Sequence, residues 1–212
     1  MKEFESYYIN DLEEKINSEL ICRPSNIFIE MEDFAKKEKI PILSPSTGSI
    51  LNFLIKQINS KKILELGTGL GYSAAWILFS NNNLELDTID RNLRELKRAE
   101  FFLEKLKYKN KINFIRAHCL EYLEKINHLN EYDTIFIDCD KICYPDLIDI
   151  FLKKTKPKTY LLFDNVLWHG RLFDAEYNKP SDIAMKEFWK KIKSNFSYQL
   201  FTNGDGLLLT QT

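Results

Sequence analysis

Lys62-Ile63-Leu64-Glu65-Leu66-Gly67-Thr68-Gly69-Leu70-Gly71-Tyr72-Ser73 is the stretch from which the fold is read. A short apolar run gives way to glycine at every second position, and a helical pattern follows. A run of this kind is a buried strand, and glycines at its end let the backbone turn tightly into the next helix. Strand, glycine turn and helix in that order are the opening unit of a sheet with crossover helices.

Working outward, the same alternation continues. Apolar runs at Leu84–Ile89, Ile112–Ala117, Thr134–Ile137 and Tyr160–Phe163 predict further strands. Amphipathic stretches at Tyr72–Phe79, Leu93–Lys107, Leu120–Ile126 and Pro145–Lys154 predict the helices between them. This pattern specifies an α/β chain with a mostly parallel sheet covered on both faces. A last helix over Asp182–Lys193 precedes strands at Tyr198–Phe201 and Gly206–Thr210. Gly204-Asp205-Gly206 between them is a hairpin signal, so one of the two strands runs against the rest. Upstream, residues 1–60 read as a helical extension to a core over 61–212, the whole forming a single structural domain. Ile9, Leu12, Ile16 and Leu20 recur at helical spacing. Ser25 or Asn26 starts a second helix to about Lys39, and Ser46 or Thr47 starts a third through Ile58.

Composition narrows the function. The net charge is −1, which gives no bulk attraction to nucleic acid, and 44% of the residues are apolar, ample for a core. Met1–Asn10 has no apolar segment, and no run is long enough to span a membrane. The four cysteines, Cys22, Cys119, Cys139 and Cys143, form no C-x-x-C pair. The chain is therefore expected to be cytoplasmic with reduced thiols, and Cys139 and Cys143 to be packing residues.

The glycine turn falls short of the dinucleotide fingerprint, because Tyr72 stands at the sixth position and Gly71 comes one place early. Asp90 ends the second strand, where a carboxylate can accept both hydroxyls of a ribose. Glu65 would repel a pyrophosphate but suits a ligand carrying an amino group and a sulfonium. Together these favour S-adenosylmethionine over NAD.

A second set of acids closes two other strands: Phe136-Ile137-Asp138-Cys139-Asp140-Lys141 and Leu162-Phe163-Asp164-Asn165. Neighbouring parallel strands bring their C-terminal ends together on the edge that carries the glycine turn. Asp138, Asp164 and Asn165 then form a hard-oxygen donor set for Mg²⁺, Mn²⁺ or Ca²⁺. A metal on a substrate hydroxyl lowers its pKa beside the methyl donor, and Lys141 is a candidate to take the proton. The chemistry expected is metal-assisted methyl transfer to oxygen. Tyr144 and Trp168 are candidates either to stack on a planar substrate or to pack, and His169 to line the mouth.

These segments, with Gly204–Leu208, resemble the cation-dependent O-methyltransferases, a family that includes catechol and caffeoyl-coenzyme A O-methyltransferases. The resemblance covers nearly the whole chain. It implies a seven-stranded Rossmann-like sheet with the last strand antiparallel, and often a homodimer. It implies cofactor contacts at Leu43, Glu65, Gly67, Ser73, Asp90, His118 and Asp138, metal ligands at Asp138, Asp164 and Asn165, and Lys141 as base. His118 departs from the small or acidic residue usual there. Arg23-Pro24, Ile40-Pro41-Ile42-Leu43 and Asp164-Asn165-Val166-Leu167 look most like the bacterial tRNA 5-hydroxyuridine methyltransferases. That likeness implies the tRNA anticodon loop as partner, with Arg23, Arg91, Arg94 and Arg171 as phosphate contacts. A small catechol-like substrate is the alternative. A non-catalytic cofactor module and an NAD oxidoreductase fit the acidic set less well.

Overall fold

A computed structural model describes residues 12–107 and 111–212. The N-terminal positions Met1–Asn10, and Ile9 with them, lie outside the described residues. Leu12–Lys15 (α1) runs into a wider π-type turn over Ile16–Leu20. Two longer helices follow, Asn26–Glu38 (α2) and Pro45–Ile58 (α3). Ser25 caps α2, as expected. The cap of α3 differs from expectation: Ser44 accepts the N–H of Thr47, and Pro45 is the first helical residue. Proline has no N–H to leave unpaired and its φ suits a helix start, so the segment read as extended already belongs to the helix.

The strands are β1 Lys62–Leu66, β2 Glu85–Asp90, β3 Lys111–Arg116, β4 Thr134–Ile137, β5 Tyr160–Phe163, β6 Tyr198–Phe201 and β7 Leu207–Gln211. The helices among them are α4 Tyr72–Leu78, α5 Leu93–Lys105, α6 Cys119–Lys125, α7 Tyr144–Lys154 and α8 Pro180–Asn195. They form one seven-stranded sheet in the order β3-β2-β1-β4-β5-β7-β6. β1 to β5 are parallel, and β7 runs antiparallel to both of its neighbours. Only β7 therefore opposes the sheet, as the hairpin signal required.

Two apolar layers hold the helices on. Ile63, Phe136, Leu162 and Leu207 face the layer of α2, α3, α4 and α5. Leu64, Leu66, Ile135, Ile137, Leu161 and Phe163 face the layer of α6, α7 and α8. This is why the central strands read as continuous apolar runs rather than as alternation. Phe28, Met31, Leu51 and Ile55 of α2 and α3 join Ile63, Ala74 and Trp76 in one cluster, so the N-terminal helices share the core of the sheet. The strand order reverses between β1 and β4, the place where open sheets of this kind bind ligands.

Candidate active site

The C-terminal ends of β1, β2, β4 and β5 surround one cavity of about 710 Å³. Leu43, Gly67, Ser73, Asp90, His118, Asp138, Asp164 and Asn165 line it. The glycine turn forms one side. Gly67 N–H and Thr68 N–H donate to the Ile89 carbonyl at 2.9 and 3.1 Å, and Gly69 N–H donates to Asp90 Oδ2 at 3.0 Å. Gly67 has φ +103°, and a Cβ there would lie 2.0 Å from the Asp138 carbonyl oxygen. No L side chain fits such a place, so the turn lies directly against the end of β4.

Glu65 is placed differently from the expected ligand contact. The pleat of β1 turns it toward α4, where it is fully buried behind the cavity wall. Ser73 Oγ donates to its Oε1 at 2.6 Å and Thr88 Oγ1 to its Oε2 at 2.5 Å. Burial pushes its pKa up to about 7, against the pull of these two hydroxyls. Glu65 thus orients Ser73, which does line the cavity. Asp90 has both oxygens engaged by backbone, Oδ2 by Gly69 and Oδ1 by Asn92 N–H at 2.8 Å. Each oxygen keeps a second lone pair for a ligand hydroxyl.

The acidic side is built from β4 and β5. Asp164 is 3% exposed, and its pKa is pushed up to about 8 by burial and by the nearby Asp138 charge. Lys141 offsets part of this repulsion: its Nζ donates to Asp138 Oδ1 at 3.0 Å. Lys141 is itself 7% exposed and stands one layer behind the cavity wall. Its Nζ also donates to the Tyr144 hydroxyl at 2.7 Å. Two crowded carboxylates and one amide on the same wall are a donor set that a hard divalent cation would relieve, so the residues present fit such an ion. Among the described residues no cluster of three or more His, Cys, Asp or Glu side chains could hold a metal. An ion here would take its third protein oxygen from the amide of Asn165.

Of the two roles open to Tyr144 the structure selects packing: it is fully buried against Phe163 and Phe188, with centroids at 5.6 and 5.3 Å. The expected phosphate contact at Arg23 needs correction. Arg23 is not open to a phosphate: Nε and Nη2 each donate to Glu32 at 2.9 Å, and Nη1 donates to the carbonyls of Asn17 and Ile21. Cys139 and Cys143 pack as expected, yet both, with Cys119, also face the cavity.

The rim is a loop over residues 165–170, where Asn165, Trp168, His169 and Gly170 all have left-handed backbone (φ +51° to +75°). Strained backbone of this kind collects at functional sites. The β6–β7 hairpin props the loop: Val166 N–H donates to Gly206 O, Leu167 N–H to Asp205 O and His169 N–H to Asp205 Oδ1. Trp168 and His169 line the mouth, and Trp168 Nε1 is anchored on Asp182 at 2.7 Å. Sequence reasoning missed Asn92 and Glu95, which line the cavity beyond Asp90, and listed Arg91, which joins them there, only as a phosphate contact. Their position after the end of β2 was the available signal. Glu95 Oε2 and His118 Nδ1 are buried without a hydrogen-bond partner, open positions for ligand groups.

Comparison with known proteins agrees with this arrangement. A family model described as O-methyltransferase matches residues 20–212. Tapetum-specific methyltransferase 1 of Arabidopsis thaliana is 30% identical over 169 residues, 75% of this chain and 72% of that protein. The catechol O-methyltransferase of Niastella koreensis is 26% identical over 156 residues, 72% and 71% of the two chains. The O-methyltransferase of Bacillus cereus, solved in complex with SAH, superposes with a TM-score of 0.81 at 22% identity, covering 94% of this chain and 96% of that one. This chain belongs to the O-methyltransferase family.

Proposed function

We propose that this enzyme moves the methyl group of S-adenosylmethionine to one of two vicinal oxygens on a substrate held by a divalent cation. The observation that carries the reading is the convergence of Asp138, Asp164 and Asn165 on the cavity beside the glycine turn. When bound, the cation would supply Lewis-acid activation of the reacting hydroxyl. The turn at Gly67–Gly69 and Asp90 hold the donor, with Ser73 fixed by Glu65. Asp138 stands between the two halves: Gly67 lies against its backbone and its carboxylate faces Lys141. Lys141, hydrogen-bonded to Asp138 just behind the wall, is the proposed acceptor of the hydroxyl proton. Trp168 and His169 at the mouth orient the ring that carries the two oxygens.

The substrate in this reading is 5-hydroxyuridine at the wobble position of tRNA, whose 5-hydroxyl and 4-oxo groups are vicinal. Support comes from the rim. The stretch 173–180 is exposed, with Phe173 83% exposed, and none of it lines the cavity, which leaves the site room for a large partner. Methyl transfer from labelled cofactor to tRNA of a deletion strain tests it. Chelator-sensitive labelling of the wobble nucleoside is expected, and unlabelled tRNA refutes it. The second reading is a free catechol-like substrate, favoured by the likeness to the Niastella koreensis enzyme. Turnover of catechol with no labelling of tRNA would select it.

A further inference from the structure

The buried phenol of Tyr144 touches Lys141 and the ends of both strands of the acidic half. Its oxygen is 2.7 Å from Lys141 Nζ, 2.9 Å from the Ile137 carbonyl and 3.0 Å from the Asp164 carbonyl. Ile137 is the last residue of β4 and precedes Asp138; Asp164 follows the last residue of β5. The two strand ends are joined here by Asp164 N–H donating to the Ile137 carbonyl at 3.0 Å. The phenol therefore sits on the last rung of the β4–β5 ladder and receives the lysine from the other side. Lys141 Nζ donates to Asp138 Oδ1 and to this hydroxyl, and lies 4.5 Å from the centroid of the Tyr144 ring. Packing on Phe163 and Phe188 fixes the ring independently of these bonds.

We propose that Tyr144 is a positioning residue for methyl transfer, which ties the ends of β4 and β5 to Lys141 and so sets both the spacing of Asp138 and Asp164 and the place of the lysine nitrogen. It touches neither donor nor acceptor and acts through the groups that do. The inference rests on the roles given above to Asp138, Asp164 and Lys141.

Tyr144→Phe keeps the ring and deletes the oxygen, so packing is preserved. The expected result is a fall in kcat and in Mn²⁺ affinity of about tenfold each, the usual scale for a group that orients metal ligands. KM for the methyl acceptor and affinity for S-adenosylhomocysteine should stay near wild type, a split that general loosening of the fold would not give. On a Lys141→Met background the same change should still lower Mn²⁺ affinity, because the phenol spans the ends of β4 and β5 without the lysine. Wild-type kcat and Mn²⁺ affinity in a folded Tyr144→Phe chain would overturn the inference. A measurement on the unaltered chain covers a variant that fails to fold. A proton spectrum should show a slowly exchanging tyrosine hydroxyl signal with contacts to the Phe163 and Phe188 rings, and absence of that signal would also overturn it. The underlying reading fails separately, if Asp164→Ala leaves turnover and Mn²⁺ binding intact.

Discussion

The two sides of the cavity are built by different means. On the β1–β2 side the backbone shapes the wall: Gly67, Thr68 and Gly69 present N–H groups tied to Ile89 and Asp90, and the carboxyl group behind them, Glu65, has each oxygen hydrogen-bonded by a hydroxyl. On the β4–β5 side acidic side chains form the wall, and Lys141 behind it is hydrogen-bonded to Asp138. Both sides contain a carboxyl group with a raised pKa, at about 7 for Glu65 and about 8 for Asp164. The causes differ. Glu65 is raised by burial with its hydrogen bonds complete, so it is a finished structural element. Asp164 is raised by burial and by a like charge, an arrangement that a cation would complete.

If the acidic side does the chemistry and the glycine side holds the donor, variants should separate the two. Asp164→Ala should have the largest effect, reducing turnover by about a thousandfold or more while S-adenosylhomocysteine affinity, read by calorimetry, changes little. Equal loss of both would merge the two sides into one unit. Gly67→Ala attacks the seam between them. With its Cβ 2.0 Å from a backbone oxygen and φ at +103°, it should destabilise the fold by about 3 kcal/mol and weaken cofactor binding as well, measured by denaturant titration and calorimetry.

Glu65 gives the pH test. Its folded pKa lies above the ordinary 4.5, so the folded chain holds this proton more tightly than the unfolded chain. The contribution to stability is then present below pH 4.5 and is lost as pH rises through 7, by about 3 kcal/mol at most. Glu65→Gln should flatten that slope between pH 5 and 8 in denaturant titrations; an unchanged slope would place the titrating group elsewhere. Arg23→Ala should give the smallest change. Loss of the paired contact with Glu32 should cost about 1–2 kcal/mol of stability, while binding of a 5-hydroxyuridine RNA stays as in the wild type.

The comparison also explains what the sequence could reveal. Strands such as Thr134–Ile137 and Tyr160–Phe163 were legible because both of their faces are buried, leaving unbroken apolar runs between polar ends. Asp138, Asp164 and Asn165 were legible for a related reason: a parallel sheet places whatever follows its strands on one edge. Direction was harder to read. Glu65 lies inside a strand, and its alternation pointed it to α4 and not to the edge. Pairings distant in the chain left no trace at all. Arg23 looked like a free cation until Glu32 was placed beside it, and the reach of Tyr144 to Ile137 and Asp164 depends on how α7 docks.

The prop under the 165–170 loop has a consequence for how the enzyme is made. Ile89 and Asp90 accept the N–H groups of the glycine turn, but Asp138 N–H also donates to Leu66 O at its start and Gly67 rests on the Asp138 carbonyl, so the turn is complete only once β4 is in place. The loop after Asp164 leans on Asp205 and Gly206, which leave the ribosome well after it. Both sides of the cavity therefore close late in synthesis: the glycine turn waits for β4, and the rim waits for the β6–β7 hairpin.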